Sequence, residues 1–234
     1  MKVFEKIYQK LLPYLGKSAY INYLRKKGVS IGTGTCLFNL PTINIDLSRP
    51  SLISIGDNVS INRNFTLVTH DFVSGVFIHK YHDFLPSSGR VSIGNNVRFG
   101  VNCTVLKDVN IGDNVFIAAG SIVSKDIQSN CIAGGTPCRP LISLDDYYAK
   151  RKVKCINEAL EYALSIQQRF ARKPKLLDFW EEFPLFVDGD KIDQYPDIAN
   201  VIKAQLGPAY QNYVKNHKAI YKDFEDFLSA AGVK

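Results

Sequence analysis

The hydrophobic positions of this chain repeat every six residues through much of its first 142 residues. The segment VNIGDNVFIAAGSIV, residues 109–123, is apolar at alternate positions within each block and then carries glycine or a small polar residue. Alternation predicts a short strand with one buried face, whereas glycine, Asn and Asp predict a tight corner. Each block of six therefore predicts one short strand followed by one turn.

The blocks run in one frame over 91–138 and over 53–70, and the same frame reaches VSIGTG at 29–34, whereas 35–52 fit it poorly. A six-residue internal period is typical of a parallel β-helix, in which three blocks close one triangular coil. A β-sandwich would show irregular strands with turns every 8–12 residues. The predicted core takes the third residue of each good block: Ile55, Ile61, Leu67, Ile93, Phe99, Val105, Ile111, Ile117 and Val123.

Three segments depart from the repeat and define the expected organisation. Residues 1–28 predict amphipathic helices that cap the β-helix of residues 29–142, because solenoids need polar caps. Residues 71–90 interrupt the blocks without changing their frame, which indicates an external loop of the kind that often serves a site. Residues 143–234 predict an α-helical C-terminal extension, including a helix over 208–229. Its expected apolar positions are Ile156, Leu160, Ala163, Leu164, Ile166, Trp180, Phe183, Pro184 and Phe186.

The charge lies almost entirely in the repeat region. Of 29 Lys and Arg and 22 Asp and Glu, residues 143–234 hold 14 of each, which leaves 15 basic and 8 acidic residues in the first 142. Such a surface suits nucleic acid or a phosphate-rich cofactor, and the absence of aromatic-plus-basic modules favours the cofactor. Five cysteines without metal-like spacing suit a cytoplasmic protein, and no apolar run predicts a membrane span.

The repeat resembles the consensus of the left-handed β-helix, hexapeptide-repeat acyltransferases. Its end, DNVFIAAGSIVSKDIQSNCIAGGTPCRPL, is similar to the last coils of the maltose and galactoside O-acetyltransferase group, and VTHDFVSGVF resembles the xenobiotic and streptogramin acetyltransferase branch. The resemblance covers roughly residues 29–142. It implies a left-handed coil, acetyl-CoA as co-substrate and a homotrimer with active sites at subunit interfaces.

His70 is the candidate catalytic residue. It ends the FTLVTH block beside the long loop, where a histidine on a scaffold is well placed to act as a general base. The resemblance matches Val68, Thr69 and His70 onto the family's catalytic histidine motif and implies direct transfer without an acyl-enzyme. Three further residues, Cys103, Cys131 and Cys138, are expected to be core or corner residues rather than nucleophiles.

The cofactor and acceptor residues are assigned from the resemblance. The small residues at one corner would let pantetheine lie against the backbone, and the cations would reach the nucleotide phosphates. The expected cofactor residues are Ala118, Ala119, Gly120, Ser124, Lys125 and Arg139. The expected acceptor residues are Asp46, Asp71, His79 and His82, and the alternative role for Asp71 is to orient the loop. Arg98 replaces the tryptophan usual in the maltose and galactoside group, and no metal is expected despite three histidines within 70–82.

These features favour an acetyl-CoA-dependent O-acetyltransferase that acts on a sugar or polysaccharide-precursor hydroxyl. Acetylation of an antibiotic or of an amino-sugar nitrogen is the alternative among enzymes, since acceptor identity belongs to a site and not to a fold. A scaffold or binding subunit is the alternative outside enzymes. The protein is not expected to bind nucleic acid or to span a membrane.

Overall fold

The computed structural model describes residue 14 and residues 16–233, and it divides the chain into two compact units, Met1–Tyr148 and Ala149–Lys234. Residues 1–13 and 15, which are most of the cap predicted over residues 1–28, lie outside the described residues. The described part forms helix α1, Lys17–Lys27, which ends at the left-handed Gly28. Its Leu24 is fully buried in the core of the first unit.

Fourteen strands build the described part of the first unit. They are β1 Ser30–Ile31, β2 Cys36–Leu37, β3 Asn44–Ile45, β4 Ile53–Ile55, β5 Ser60–Ile61, β6 Thr66–Leu67, β7 Val91–Ile93, β8 Arg98–Phe99, β9 Thr104–Val105, β10 Val109–Ile111, β11 Val115–Ile117, β12 Ile122–Val123, β13 Cys131–Gly134 and β14 Arg139–Ser143. The chain visits three sheets in turn, in the orders β1-β4-β7-β10, β14-β13-β11-β8-β5-β2 and β12-β9-β6-β3. All pairings are parallel except that between β13 and β14. The predicted parallel β-helix is confirmed.

The repeat positions set the core of this β-helix. Every third-position residue predicted from the hexads is buried, and so are the first-position residues from Ile53 to Ser121. These side chains point inward because alternate residues of a strand face opposite sides. Phe65 and Phe99, from neighbouring coils, meet edge to face with ring centroids 4.9 Å apart. Their stacking fills the centre of the prism.

The corners are held by ladders of short polar side chains. Asn96, Asn114 and Asn130 each have a positive φ. The side-chain amide of Asn96 donates to Asn114 Oδ1, and that of Asn114 donates to Asn130 Oδ1, both over 2.9 Å. Asparagine is suited to this left-handed backbone and also bridges the coils. Position 94 requires glycine for a different reason. A Cβ there would lie 2.6 Å from Asp113 Oδ1 of the next coil, which is too close for any larger residue.

The last coil does not keep the predicted frame over 91–138. Successive coils at Val91 and Val109 are offset by 18 residues, whereas Ile127 bridges Ile111 at an offset of 16. The last coil is therefore two residues shorter, and at this corner Asp126 Oδ1 accepts from Asn110 N over 2.8 Å. The extrapolation of the hexads past residue 123 is therefore wrong by two residues.

The poorly matching segment 35–52 nevertheless completes the first coil. Strand β2 pairs with β5 and strand β3 pairs with β6, with Ile45 opposite Leu67. Two short 3-10 helices, Leu40–Thr42 and Pro50–Leu52, absorb the extra residues at the corners. The loop over 71–90 leaves the prism after β6 and contains helix α2, Ser74–Tyr81, none of whose residues is buried.

The second unit is helical around its own core. After α3, Leu144–Phe170, come α4 Pro196–Leu206, α5 Tyr210–Asn216 and α6 Phe224–Ala230, with 3-10 turns at Leu176–Phe179, Phe183–Leu185, Gly189–Gln194 and Gly207–Ala209. The predicted single helix over 208–229 is wrong. The break follows from tertiary hydrogen bonds, since Gly189 N donates to His217 O and Ala219 N donates to Asp188 Oδ1. Trp180 is 41% exposed, although Phe183 and Phe186 are buried as predicted.

No helix in the described part of the chain is long and apolar enough to cross a bilayer.

Candidate active site

The fold brings Asp46 and His70 together from two successive coils. Asp46 directly follows β3, and His70 lies three residues after β6, its neighbour in the third sheet. Register places Ile45 opposite Leu67, so both polar residues emerge at the same corner of the prism. Oδ2 of Asp46 lies 2.7 Å from Nδ1 of His70. The sequence predicted both residues, but not that they would bind each other.

Both oxygens of the Asp46 carboxylate are engaged by the protein. Oδ2 accepts from the backbone N–H and the hydroxyl of Thr69, over 3.0 and 2.5 Å, while Oδ1 accepts from Ser48 N over 2.9 Å. Burial opposes ionisation, but the hydrogen bonds from Thr69 and Ser48 outweigh it and hold the pKa of Asp46 below its usual range. The carboxylate is therefore an ionised acceptor for His70, with a side chain only 12% exposed.

This arrangement orients the imidazole. With an ionised carboxylate at 2.7 Å, Nδ1 of His70 is the ring nitrogen that donates, and Nε2 carries the free lone pair of the neutral ring. Ser48 Oγ lies 3.3 Å from the same Nδ1, and the ring of Phe72 meets His70 edge to face with centroids 5.1 Å apart. His70 thus has the geometry of a general base held by a carboxylate.

Asp71 anchors the base of the loop. Its Oδ1 accepts from Val73 N over 3.1 Å, and its Oδ2 accepts from Ser87 Oγ over 2.9 Å and lies 3.4 Å from Lys107 Nζ. The first of these contacts, with Val73, and then those with Ser87 and Lys107 lower the pKa of the Asp71 carboxyl. The sequence predicts that Asp71 contacts the acceptor or orients the loop. These three contacts within the protein agree with the second role, and contact with the acceptor stays a prediction.

The other three histidines lie on other structural elements. His79 is exposed on α2, and His82 is exposed at its left-handed C-cap. His217, in the second unit, has Nε2 2.8 Å from Pro184 O and stacks on Tyr213. Among the described residues, no group of three or more His, Cys, Asp or Glu is arranged to hold a metal ion.

The expected cofactor residues fall on two different corners of the prism. Ser124 and Lys125 follow β12, two strands from β6 in the third sheet, which puts them about 10 Å along the stack at the His70 corner. Ala118, Ala119 and Gly120 instead follow β11, between the second and third sheets. At Gly120, which has φ +74, an added Cβ would meet nothing within 4 Å, so this corner is open.

The two arginines and three cysteines singled out from the sequence have contacts or burial within the β-helix unit. Arg139 is exposed, opens β14 and donates from Nη1 to Cys138 O over 2.8 Å. Arg98 donates to Ser60 Oγ over 2.8 Å and lines a shallow surface depression beside Phe116. The cysteines at 103, 131 and 138 are buried, and burial raises the pKa of each thiol, as suits core residues.

Comparison with known proteins identifies the family. Residues 90–125 match the model of the bacterial transferase hexapeptide, six repeats. The chain is 32% identical to "Putative acetyltransferase YvoF" of Bacillus subtilis (strain 168) over 142 residues, which is 60% of this chain and 74% of that protein. The chain belongs to the hexapeptide-repeat acyltransferases. This bacterial family is the one that the repeat and the AAGSIVSKD segment resemble.

Two further proteins are similar to part of this chain. The chain is 40% identical to the galactoside O-acetyltransferase of Escherichia coli (strain K12) over 116 residues, 46% of this chain and 54% of that enzyme. It therefore spans about half the length of that relative. A maltose O-acetyltransferase structure from Clostridium difficile 630 is 27% identical with a TM-score of 0.47, and the match covers 61% of this chain and 87% of that one.

Proposed function

We propose that this acyltransferase moves an acetyl group from acetyl-CoA to a hydroxyl of a sugar or polysaccharide precursor, with His70 as general base. The contact between His70 Nδ1 and Asp46 Oδ2 carries the proposal. It supports an orientation of the imidazole that leaves Nε2 free to accept a proton, which is the chemistry that attack by a hydroxyl requires. Relatives named acetyltransferase and galactoside O-acetyltransferase support the acyl group and the acceptor class.

The proton path needs one base. Nε2 of His70 accepts the proton of the acceptor hydroxyl as the hydroxyl oxygen bonds to the thioester carbonyl carbon. The imidazolium so formed is stabilised by the ionised Asp46 and returns the proton to the departing sulfur as the carbon–sulfur bond breaks. Acetyl-CoA supplies the activated acyl group and a thiolate leaving group, whose pKa is near that of cysteine, about 8.5.

Residues at both corners would hold acetyl-CoA. The small side chains of Ala118, Ala119 and Gly120 leave the backbone open for an extended pantetheine arm. The exposed cations Lys125 and Arg139 suit its phosphates. Since His70 and Gly120 lie at different corners of one prism, a groove that joins them is best formed by two protomers. This supports a homotrimer with shared active sites.

Subunit complementation tests the shared site. His70→Ala removes the base from one corner, and Ala119→Trp blocks the other corner at an exposed position. We expect each variant alone to be inactive and mixed trimers, made by co-expression, to recover activity, because some grooves then contain both native corners. Mixed trimers that stay inactive, while each variant melts like the wild type, would contradict the shared site.

Binding of the co-substrate is tested separately by thermal unfolding. A ligand that binds the native state stabilises it by about 2.7 kcal/mol at 100 times its Kd. We expect acetyl-CoA and free CoA to raise the melting temperature, and inorganic triphosphate to have little effect. No shift at millimolar acetyl-CoA would overturn the acetyltransferase proposal.

A further inference from the structure

A cation lies beside the candidate catalytic pair, separated from it by one hydroxyl group. Nη1 of Arg49 donates to Ser48 Oγ over 3.4 Å, and that oxygen lies 3.3 Å from His70 Nδ1. Arg49 directly precedes Pro50, at the N-cap of the 3-10 helix Pro50–Leu52, and its carbonyl accepts from Leu52 N over 3.0 Å. Pro50 and the turn restrict the backbone of Arg49, and its guanidinium lies at the His70 corner.

The guanidinium of Arg49 has no carboxylate partner among the residues that the structure describes. Arg151 and Arg172, in the second unit, show the alternative, because each forms two hydrogen bonds of 2.7–2.9 Å to one carboxylate. Asp46 is the nearest carboxylate in sequence, but its oxygens already bind Ser48, Thr69 and His70. Arg49 is half-buried and retains donors for an external anion.

An aromatic ring completes this side of the corner. Phe72 lies against His70 yet is 82% exposed, so its outer face is open to a ligand. The Asp71 carboxylate, through Val73 N, Ser87 Oγ and Lys107 Nζ, holds the turn that presents it. An aromatic ring offers a large apolar contact area, so Phe72 can pack against the apolar side of a sugar ring. The corner therefore offers a base, a ring and a cation close together.

We propose that Arg49 binds an anionic group of the acceptor, a carboxylate or a phosphate, while a hydroxyl of the same molecule faces Nε2 of His70. The acceptor is thus an acidic sugar rather than a neutral one. This inference rests on the proposed function and narrows its acceptor class. The excess of basic residues in the first 142 agrees with it, since a positive field attracts anionic substrates.

The test compares matched acceptors on the full-length protein. Galactose, galacturonic acid and galactose 1-phosphate, with the corresponding glucose series, are assayed for acetylation at saturating acetyl-CoA and constant ionic strength. Their binding is measured in parallel by calorimetry with CoA present, which occupies the nucleotide-phosphate residues. We expect an acidic sugar to exceed its neutral counterpart at least about tenfold in kcat/KM or in affinity. Preference for the uronic acid or for the phosphate identifies which anion is used.

Two variants at Arg49 separate its role from that of the catalytic pair. Arg49→Gln is expected to raise the KM or Kd of the preferred acidic sugar at least about tenfold with kcat little changed, and Arg49→Lys to restore part of the loss. Arg63→Gln, at an exposed corner of the same prism, is the matched control and should leave both constants unchanged.

Three results would each overturn the proposal for Arg49. Neutral sugars could be acetylated as well as acidic ones, no acidic sugar could bind, or Arg49→Gln could leave KM and Kd unaltered. Failure of the proposed function gives a different result. In that case, acetyl-CoA would neither bind nor donate its acetyl group to any acceptor, whatever residue occupies position 49.

Discussion

The hydroxyl of Thr69 donates to Oδ2 of Asp46 over 2.5 Å, and Thr69 is completely buried although it neighbours an exposed loop. The same carboxylate oxygen binds His70 Nδ1. Thr69 therefore positions the carboxylate that positions the base. The VTH sequence indicates the histidine, but only the packing of two coils reveals what the threonine does.

Thr69→Val tests this contact with almost no change of volume. Loss of a hydrogen bond to a charged group should lower the free energy of unfolding by about 2 kcal/mol. The same change should raise the pKa of Asp46 toward its usual value, because the Thr69 bonds hold it down. Chemical denaturation and NMR titration of the carboxyl measure the two effects. Thr69→Ser keeps the hydroxyl and is the control, and equal losses in both variants would contradict the assignment.

Asp46→Asn should change the pH dependence of stability. The folded pKa of Asp46 lies below its unfolded value, which is near 4. Its contribution is therefore fully present above about pH 4 and is lost as pH falls toward the folded pKa. We expect the asparagine variant to lose less stability than the wild type between about pH 4 and lower pH. Parallel acid-unfolding curves for the two proteins would show that the carboxylate is not stabilised as described.

The phenol of Tyr213 gives a prediction for the second unit. Its oxygen is buried without a hydrogen-bond partner among the described residues, and burial raises the pKa of Tyr213 to about 12. Tyr213→Phe should leave stability unchanged or raise it by about 1 kcal/mol, because an unsatisfied polar group is removed. Tyr210→Phe is the contrast. Its hydroxyl donates to Asp193 Oδ1 over 3.0 Å, so its loss should cost about 1 kcal/mol. Urea unfolding of both variants decides the sign.

The corner ladder can be tested at Asn114. It has φ 57, accepts from Asn96 and donates to Asn130. Asn114→Ala should cost about 2 kcal/mol, since alanine is strained in the left-handed region and the ladder is broken. Asn110→Ala, on the exposed face of β10, is expected to stay within about 0.5 kcal/mol of the wild type. If thermal denaturation gave equal costs for the two variants, the ladder would not be a source of stability.

How far the sequence predicts the fold depends on whether local chemistry decides the structure. Hexad periodicity identifies the buried residues because alternation and corner chemistry act within six residues. The same rule extrapolated past Val123 is wrong by two residues, since the last coil is shorter and the side chain of Asp126 binds the main chain of β10 there. Likewise the helix predicted over 208–229 is divided because its backbone bonds instead to residues near 185–189.

The candidate site shows the same division. The sequence indicates His70 from its corner and Asp46 from the family resemblance. Their contact depends on the pairing of β3 with β6, in a coil where the repeat is degenerate. Arg49 carries no sequence signal of its own, because its position relative to His70 follows from a 3-10 turn after an irregular corner. A contact between residues of two coils follows from the pairing register of the strands, which a local sequence motif does not reveal.

The most direct measurement is the rate of acetyl-CoA-dependent acetylation by the His70→Ala variant, together with its affinity for acetyl-CoA. We expect kcat to fall at least about 100-fold, the usual range for loss of a general base, while the Kd for acetyl-CoA stays within about twofold. A His70→Ala protein that retains near-normal turnover would contradict the assignment of the base, whatever the acceptor.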